Sequence, residues 1–378
     1  MTGMADPLIL VKAVFNRDYW AAVPFHFWSV VMFVLGSIVG SFLNVVIYRL
    51  PLGKSIIHPP SHCPHCGYSI PWYLNIPLVT WVYLRGRCRH CDAPISVRYF
   101  LVELLTAMLF LNAWLHYGFR WPAVALIYSG FLSLLIAATF IDFEHFIIPD
   151  EITIGGAAVG FIISIIVPIL HNGNSIADGM GASLLGIGFG AGIVYFILRV
   201  GKIFFGRQTI AIPQEAKIIF GQEAIHLPDK DIPYEDVFYR DSDEIVLEAR
   251  TVELLDRCYK NVPVKLRPGS LTIGQEAIDP ESVHHMEVVS SSIVLPREAM
   301  GMGDVKFMAA IGAFLGWQGV LFCLMVSSMI GAVVGVGLIA ARKRDWSSKL
   351  PYGPYIAMAA AIWIFGGRKF IYWWLFGR

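Results

Sequence analysis

Charged residues are scarce in this chain of 378 residues: Asp, Glu, Lys and Arg make up 15% of it, whereas 56% is hydrophobic. The mean hydropathy of +0.61 lies far from the soluble average and favours a membrane protein. The formal net charge is only +1 and the chain has no long basic run, which argues against a nucleic-acid-binding protein. No small-residue cleavage pattern follows the first apolar segment, so we expect that segment to stay in the membrane.

Apolar segments of roughly 17 to 25 residues are needed to cross about 30 Å of hydrocarbon. We predict an α-helical polytopic membrane protein with about eight transmembrane helices, at 25–48, 99–115, 122–141, 152–170, 181–200, 305–315, 319–341 and 352–365. The sixth of these is short. The predicted domains are a periplasmic segment 1–24, the first helix 25–48, a cytoplasmic loop 49–98, helices two to five in 99–200, a soluble insertion 201–300 and helices six to eight in 301–378.

Lys and Arg cluster in two connecting segments, and short positively charged loops stay in the cytoplasm. The first segment carries Arg49, Lys54, Arg85, Arg87, Arg89 and Arg98, and the second carries Arg342, Lys343, Arg344 and Lys349. With eight crossings, Arg120 is the one basic residue in the loops of the opposite side. Lys12, Arg17, Arg368 and Lys369 in the two tails argue mildly against this orientation.

Acidic residues are concentrated in the insertion, where 17 of the 28 lie between positions 201 and 300. The runs 262–267 and 270–273, separated by Pro268-Gly269, are typical of strands joined by a turn. The word Gly-Gln-Glu-Ala-Ile occurs at 221–225 and again at 274–278, which suggests a duplicated β unit. We predict a small β-rich domain on the cytoplasmic side.

The remaining 278 positions hold only 11 acids (28 − 17), so a carboxylate beside a span needs an explanation. Asp142 ends the third predicted helix, and Asp150 follows Pro149 at the start of the fourth. Asp304 follows Gly301 and Gly303 at the start of the sixth, so both acid clusters fall on one side of the membrane. Glycine there leaves room for a backbone to come close.

Two carboxylates in a low-dielectric setting do not both ionise readily, and such a pair can activate water to hydrolyse an amide without a metal. We expect Asp304, near a helix N-terminus, to be the ionised member and Asp142 to hold the proton. The alternatives are an interfacial carboxylate that ends a helix at Asp142 and an ordinary N-cap at Asp304. Asp150 is expected to cap the fourth helix, and Lys306 to pair with a carboxylate or a lipid phosphate.

The chain has six cysteines, and four of them form the pattern C-x2-C, 21 residues, C-x2-C in the first loop: Cys63, Cys66, Cys88 and Cys91. Paired knuckles of this kind place four thiolates around Zn²⁺. Disulfides or free thiols are the weaker alternatives, since a reducing cytoplasm disfavours disulfides. Cys258 and Cys323 have no partner in the sequence, and we expect both to be inert buried thiols.

Several motifs together resemble a known family. Gly301-Met-Gly-Asp304 is similar to the G-x-G-D signature of membrane aspartic proteases, and Asp142 followed by Ile148-Pro149-Asp150 resembles the first-aspartate motif of bacterial type IV prepilin peptidases. The segments 36–51, 81–87, 98–103 and 351–354, with the paired knuckles, extend the resemblance to nearly all of the chain except the insertion.

The resemblance implies a multi-pass enzyme of the bacterial inner membrane that serves type IV pilus or type II secretion systems. It would cleave the leader of prepilins or pseudopilins at the cytoplasmic face and then N-methylate the new terminus with S-adenosylmethionine. Its implied site residues are the catalytic Asp142 and Asp304; Gly301, Gly303, Asp150 and Lys306 as active-site support; Gly36, Ser37, Asn44, Arg49 and Glu103 in the methylation half; and Cys63, Cys66, Cys88 and Cys91 as zinc ligands. Implied partners are these substrates, the lipid bilayer and, through 201–300, pilus or secretion assembly proteins, with no nucleic acid.

Two departures from the family pattern stand out: the insertion of about a hundred residues, and Leu74 where relatives commonly have an acidic residue. The second leaves open a peptidase without methylation. A transporter or a non-enzymatic assembly scaffold with a structural zinc loop are the rival classes. A transporter is disfavoured because no inverted repeat is apparent and both acids lie at one boundary rather than at mid-membrane.

Overall fold

The computed structural model describes residues 17–212, 216–238, 243–283, 285–296, 301–341, 350–367 and 369. It divides into two compact units. The first takes in the chain up to Val194 and again from Met302, and the second is Tyr195–Gly301. The basic residues Lys12, Arg342, Lys343, Arg344, Lys349 and Arg368, and most of the predicted segment 1–24, lie outside the described residues.

Seven long helices carry the first unit: α1 Phe25–Arg49, α2 Val97–Ala113, α3 Pro122–His145, α4 Asp150–Ile166, α5 Ile176–Phe205, α6 Met302–Ala340 and α7 Gly353–Ile362. Helices α2 and α7 each continue into a wider turn, at Trp114–Gly118 and Trp363–Gly367. Short helices occupy Arg17–Ala21 and Val79–Tyr83. Within the described residues, all eight predicted apolar segments are helical over most of their length.

Helix α6 covers the sixth and seventh predicted segments, and Gly316 separates them. Gly316 has φ 70° and ψ 176°, outside the helical region. Before it, the helix packs along α4: a Cβ on Gly156 would lie 3.6 Å from Ala310, and one on Gly160 would lie 2.9 Å from Ala313. After it, Gly319 lies beside Trp363 and Gly331 beside Tyr355, so this part runs antiparallel to α7. The chain therefore reverses direction at Gly316.

Among the described residues, five helices are long and apolar enough to cross a membrane: Phe25–Leu52, Val97–Gly118, Pro122–His145, Ile176–Phe204 and Met302–Ala340. Helix α4 has 17 residues and falls just short, and Gly353–Gly367 is shorter still. Because α6 reverses, its 39 residues can form two passes rather than one. A helical membrane protein is thereby confirmed, and the count of eight crossings stays a prediction.

Glycines let the helices come unusually close. A Cβ on Gly36 would lie 2.7 Å from the Ala107 Cα, and one on Gly40 would lie 2.7 Å from the Glu103 Cα, so α1 and α2 pack backbone to backbone. A Cβ on Gly186 would lie 2.1 Å from the Gly312 carbonyl oxygen, which joins α5 to α6 in the same way. Small residues at helix contacts are typical of membrane bundles, where close van der Waals packing drives association.

The second unit contains an antiparallel sheet of ten strands: β1 Arg207–Ala211, β2 Lys217–Phe220, β3 Ala224–His226, β4 Asp231–Pro233, β5 Ile245–Glu253, β6 Cys258–Arg267, β7 Ser270–Ile273, β8 Glu276–Ile278, β9 Met286–Val289 and β10 Ser292–Pro296. The main strand order is β4-β3-β2-β9-β5-β6-β7-β8, and β10 pairs with β1 and β5. Alternate residues, such as Ile218, Phe220, Ile245, Leu247 and Val288, form a buried core. The predicted β-rich insertion is confirmed, and its cytoplasmic location stays a prediction.

The repeated word lies at two hairpins. Its first copy joins β2 to β3, and its second copy joins β7 to β8. The turns differ, because Phe220 pairs with Ile225 in the first hairpin whereas Ile273 pairs with Glu276 in the second. Only the second turn, at Gly274, uses a positive φ, of 63°.

Candidate active site

Asp142 lies in the last turn of α3 and is 6% exposed. The helix ends at His145 because Phe146 takes the left-handed conformation and donates its N–H to the Asp142 carbonyl oxygen. Four residues after Phe146, α4 begins at Asp150. The predicted tight hairpin between the third and fourth helices is thus present, and it holds the buried carboxylate at one end of the bundle.

Gly353, the first residue of α7, supplies the hydrogen bond that orients this carboxylate. Its N–H donates to Asp142 Oδ2 over 2.9 Å. A Cβ at position 353 would lie 2.7 Å from the same oxygen, so glycine is required for this approach. The motif Pro351–Pro354 carried part of the family resemblance, but no role was predicted for Gly353. The available signal was a glycine directly before a proline at the start of an apolar helix.

Asp304 is the third residue of α6 and is 9% exposed. Ile148, in the hairpin after Asp142, connects the surroundings of the two acids. A Cβ on Gly303 would lie 3.7 Å from the Ile148 nitrogen, and a Cβ on Gly353 would lie 3.1 Å from Ile148 Cδ1. Gly303 precedes Asp304 in the chain, and Gly353 is the hydrogen-bond partner of Asp142. Each buried acid is therefore next to a residue that lies close to Ile148, at the same end of the first unit.

The role predicted for Gly301 and Gly303, to leave room for a backbone to come close, stays a prediction. Gly301 is exposed. The Gly303 Cβ position lies at ordinary van der Waals distance from Ile148, so the free structure does not require glycine there. The closest approach to a carboxylate is at Gly353 instead.

Asp150 and Lys306 form an ion pair, with Lys306 Nζ 2.7 Å from Asp150 Oδ1. This pair ties the start of α4 to the start of α6, and both side chains are solvent-accessible. The expectation that Asp150 caps α4 is wrong: Pro149 is the N-cap residue and no side chain caps the helix. The carboxylate pairs with Lys306 instead, and Lys306 thereby has a carboxylate partner as expected.

A second ion pair was not foreseen. Arg98, in the first turn of α2, pairs with Glu144 in the last turn of α3. It links the end of the cysteine-bearing loop to the hairpin that carries Asp142. Because the two residues are 46 positions apart, no local sequence pattern predicts their contact.

The residues assigned to the methylation half lie along the contact between α1 and α2. Asn44 Nδ2 donates to the Tyr99 carbonyl oxygen over 3.0 Å, so this buried amide joins α1 to α2. Its Oδ1 is buried without a hydrogen-bond partner among the described residues. Ser37 donates to Val34 within its own helix, and Arg49 donates to the Ser55 carbonyl oxygen over 3.1 Å.

Glu103 is a buried carboxylate that holds the loop against α2. Its Oε2 accepts the Leu78 N–H over 2.7 Å, and Leu78 takes φ 62°, a conformation that side-chain-bearing residues seldom adopt. Hydrogen bonds to a charged acceptor are stronger than those to a neutral one. Glu103 thus fixes the path of the segment that follows Pro77.

The four cysteines of the paired knuckles come together. Their Sγ atoms all lie within 4.8 Å of one another, and Cys63 Sγ is 3.8 Å from Cys91 Sγ. With Zn–S bonds of about 2.3 Å, sulfur atoms at the corners of a tetrahedron stand about 3.8 Å apart. The donor set and its spacing therefore fit Zn²⁺.

The two knuckles have the same backbone. Cys63 and Cys88 each donate their N–H to the carbonyl oxygen five residues on, and each carbonyl accepts from the residue four on. That fourth residue has positive φ in both, at Gly67 and Asp92. The backbone N–H groups of Cys66 and His65 lower the pKa of Cys63 to about 6, which favours the thiolate that a metal needs.

The opposite holds at Cys91. The Ala93 N–H lowers its pKa, but desolvation and the neighbouring thiols outweigh this and raise the pKa to about 12. Four adjacent thiolates repel one another without a cation between them. Of the two remaining cysteines, Cys323 is buried as expected, but Cys258 is exposed on β6, where its side chain faces away from the sheet core.

A cavity of about 600 Å³ lies at the other end of the first unit, beside Gly316, and is lined by residues that include Tyr117, Arg120, Trp121, His171 and Trp363. Neither acid lines it, so its size does not mark the site of the carboxylate chemistry.

Comparison with protein families places both halves of the helical unit. Residues 34–117 match the bacterial peptidase A24 N-terminal domain, and residues 129–212 and 284–336 match the type IV leader peptidase family. The gap in the second match, 213–283, falls inside the β-rich insertion.

Curated relatives carry one name, prepilin leader peptidase/N-methyltransferase. The protein from Myxococcus xanthus (strain DK1622) is 33% identical over 320 residues, which is 84% of this chain and 65% of the relative. That from Aeromonas hydrophila is 27% identical over 377 residues, covering 93% of this chain and 95% of the relative. The Pseudomonas aeruginosa protein is 28% identical over 377 residues, covering 93% and 94%.

No solved structure matches the chain. The two family matches span Asp142, Asp304 and the four cysteines, and the relatives align over most of the chain. The chain belongs to the type IV leader peptidase family and is an enzyme of the prepilin peptidase type.

Proposed function

We propose that this protein is a membrane aspartic endopeptidase that removes the leader of type IV prepilins or pseudopilins, with Asp142 and Asp304 as its catalytic pair, and that it also N-methylates the new terminus. The observation that carries the proposal is the position of the two acids: both are buried at one end of the helical unit, beside residues that contact Ile148. Buried carboxylates away from such a role are costly and uncommon.

The pair performs hydrolysis by dividing two tasks. The ionised acid accepts a proton from water as the water oxygen attacks the amide carbon, and the protonated acid donates a hydrogen bond to the amide oxygen. The tetrahedral intermediate then breaks its C–N bond, the leaving nitrogen takes a proton, and a carboxylate and an amine result. Because the Gly353 N–H already donates to Asp142 Oδ2, a proton held by Asp142 sits on Oδ1.

The acid pair faces the cytoplasm at the inner membrane. The loop 49–98 supports this side, since it carries Arg49, Lys54, Arg85, Arg87, Arg89 and Arg98 against the single acid Asp92. The pair Arg98–Glu144 puts the end of this loop at the same end of the unit as Asp142. A basic leader peptide would reach the acids from that side.

Cys63, Cys66, Cys88 and Cys91 would hold Zn²⁺, whose part would be structural, stabilising the loop between α1 and α2. S-adenosylmethionine supplies the methyl group in the second activity. The buried, unpartnered Asn44 Oδ1 is an acceptor that fits an amino or hydroxyl donor of that molecule, and Glu103 positions the neighbouring loop segment. Peptidase activity does not depend on this half.

Mass spectrometry of a prepilin-like peptide after incubation with the purified protein and S-adenosylmethionine tests both activities. We expect a single cut and an added mass of one methyl group. Asp142→Asn and Asp304→Asn should each abolish the cut, whereas Glu151→Gln, which changes an exposed carboxylate of the same hairpin region, should retain it. An uncut peptide with the folded wild-type protein would favour a transporter or a scaffold, and a cut product without a methyl group would leave a peptidase alone.

A further inference from the structure

The loop between α1 and α2 exposes a set of large apolar side chains. Trp72 is 81% exposed, Val79 61%, Val82 60% and Tyr83 71%. Exposed apolar residues are ordinary when scattered, but a contiguous cluster marks an interaction surface. These four lie within twelve consecutive residues of a loop that precedes a membrane-crossing helix.

The short helix Val79–Tyr83 shows that this exposure is directional. Val79, Val82 and Tyr83 have the spacing i, i+3, i+4, which places them on one helix face. Trp81 points the other way: its ring lies 5.2 Å from that of Phe100 and its Nε1 donates to the Ile95 carbonyl oxygen. The helix is therefore fixed to the fold by Trp81 and presents an apolar face outward.

The depth of this face decides what covers it. The Leu78 N–H donates to Glu103, which lies six residues, or about 9 Å, beyond the start of α2. Trp81 packs on Phe100, which lies three residues beyond that start. Gly40 of α1 packs against Glu103, and Gly40 lies nine residues, or about 13 Å, before the end of α1. The segment 78–82 thus runs beside the first turns of α2, at a level where the last turns of α1 still pack against that helix, rather than beyond the helix ends.

The charges nearby fit the same environment. Lys54, Arg85, Arg87 and Arg89 are all exposed, and Asp92 is the one acidic residue of the loop. Aromatic side chains at the headgroup level with cations just outside them are characteristic of segments that lie in the membrane interface.

We propose that the outward face of Trp72–Tyr83, formed by Trp72, Val79, Val82 and Tyr83, binds the lipid bilayer as a half-inserted element. Val79 and Val82 contact acyl chains, Trp72 and Tyr83 lie among the headgroups, and the exposed arginines contact lipid phosphates. The cysteine-bearing loop is thereby held flat against the membrane between α1 and α2. Glu103 is the positioning residue that sets its depth.

Photocrosslinking in the full-length protein tests this surface without reference to activity. Benzoylphenylalanine is placed singly at positions 79 and 82 in membranes that contain radiolabelled phospholipid. Position 30, 64% exposed within α1, serves as the lipid-facing control, and exposed Ser69 in the first knuckle as the water-facing control. Variants whose melting temperature falls are replaced by one labelled at Tyr83.

We expect positions 79 and 82 to label phospholipid to at least half the extent of position 30, and position 69 to give less than a tenth of that signal. Crosslinks at 79 and 82 to a protein, whether a second copy or another chain, would overturn the proposal in favour of a docking surface. Absence of phospholipid labelling at both, with labelling at position 30, would overturn it as well.

Discussion

At the scale of single residues, the missing side chain of Gly353 lets a backbone N–H reach Asp142. In Gly353→Ala the new Cβ would meet Oδ2 at 2.7 Å and displace the carboxylate. A misplacement approaching 1 Å costs roughly a hundredfold in rate, so we expect the turnover of a prepilin peptide to fall about 10- to 100-fold. Initial rates followed by mass spectrometry measure this.

Gly130→Ala is the matched control, since a Cβ there has no neighbour within 4 Å. It should leave the turnover unchanged. Full activity in folded Gly353→Ala would show that the orientation of Asp142 does not depend on this approach.

At the scale of elements, the two knuckles bring four Sγ atoms within 4.8 Å of one another, a spacing that fits one Zn²⁺. We expect one Zn²⁺ per chain in protein purified without chelator, and close to none in Cys66→Ser. Elemental analysis of the purified proteins measures the ratio. Cys258→Ser, which removes the exposed thiol on β6, should keep the full content. Equal zinc in all three proteins would contradict the four-cysteine site.

Chelation should act on the loop more than on the acids. We expect a strong chelator to reduce methylation of a reacted peptide severalfold and to change its cleavage by less than twofold. The reason is that the four cysteines lie in the loop before α2, whereas Asp142 and Asp304 lie outside that loop. Parallel loss of both activities, read in one mass spectrum, would argue against separate sites.

The close contact of α1 with α2 requires glycine at position 40, for the same steric reason as at Gly353. Its Cβ would fall 2.7 Å from the Glu103 Cα, a backbone atom that cannot turn aside. Overpacking of this kind costs about 1 to 3 kcal/mol, so Gly40→Ala should lower the melting temperature in detergent by several degrees. Gly130→Ala again serves as the control and should not lower it. An unchanged melting temperature in Gly40→Ala would mean that the two helices can separate at little cost.

At the scale of the whole molecule, the chain consists of two units with separate cores. The sheet core of the second unit, from Ile212 to Leu295, is complete within its own strands. An isolated fragment 201–300 should therefore be soluble and strand-rich by circular dichroism and should melt cooperatively. A helical or disordered spectrum would contradict an independent β-rich domain.

The sequence was most informative where a pattern is local. Apolar runs predicted the helices, the C-x2-C pairs predicted the cluster of four cysteines, and the hairpin at Pro268-Gly269 joins the strands that were expected. Contacts between distant positions carry no such pattern. Arg98–Glu144, Lys306–Asp150 and Gly353–Asp142 arise from how the helices pack, and the last two assign roles that the motifs alone left open.

The reversal of α6 lies between these cases. Its two apolar segments were predicted separately, at 305–315 and 319–341. The structure keeps them apart through one residue, Gly316, whose positive φ allows the change of direction. The first segment is short for a membrane pass. It contacts α4 and α5 and is buried within the bundle.

The central claim is that Asp142 and Asp304 act together on one water molecule, and a double-variant rate comparison tests it most directly. Residues that act as a unit are not additive: once one is lost, the loss of the other costs little more. Asp142→Asn, Asp304→Asn and the double variant should therefore cleave a prepilin peptide at rates within about threefold of one another, all at least a thousandfold below the wild type. Substantial cleavage by either single variant, or losses that multiply in the double variant, would contradict the account.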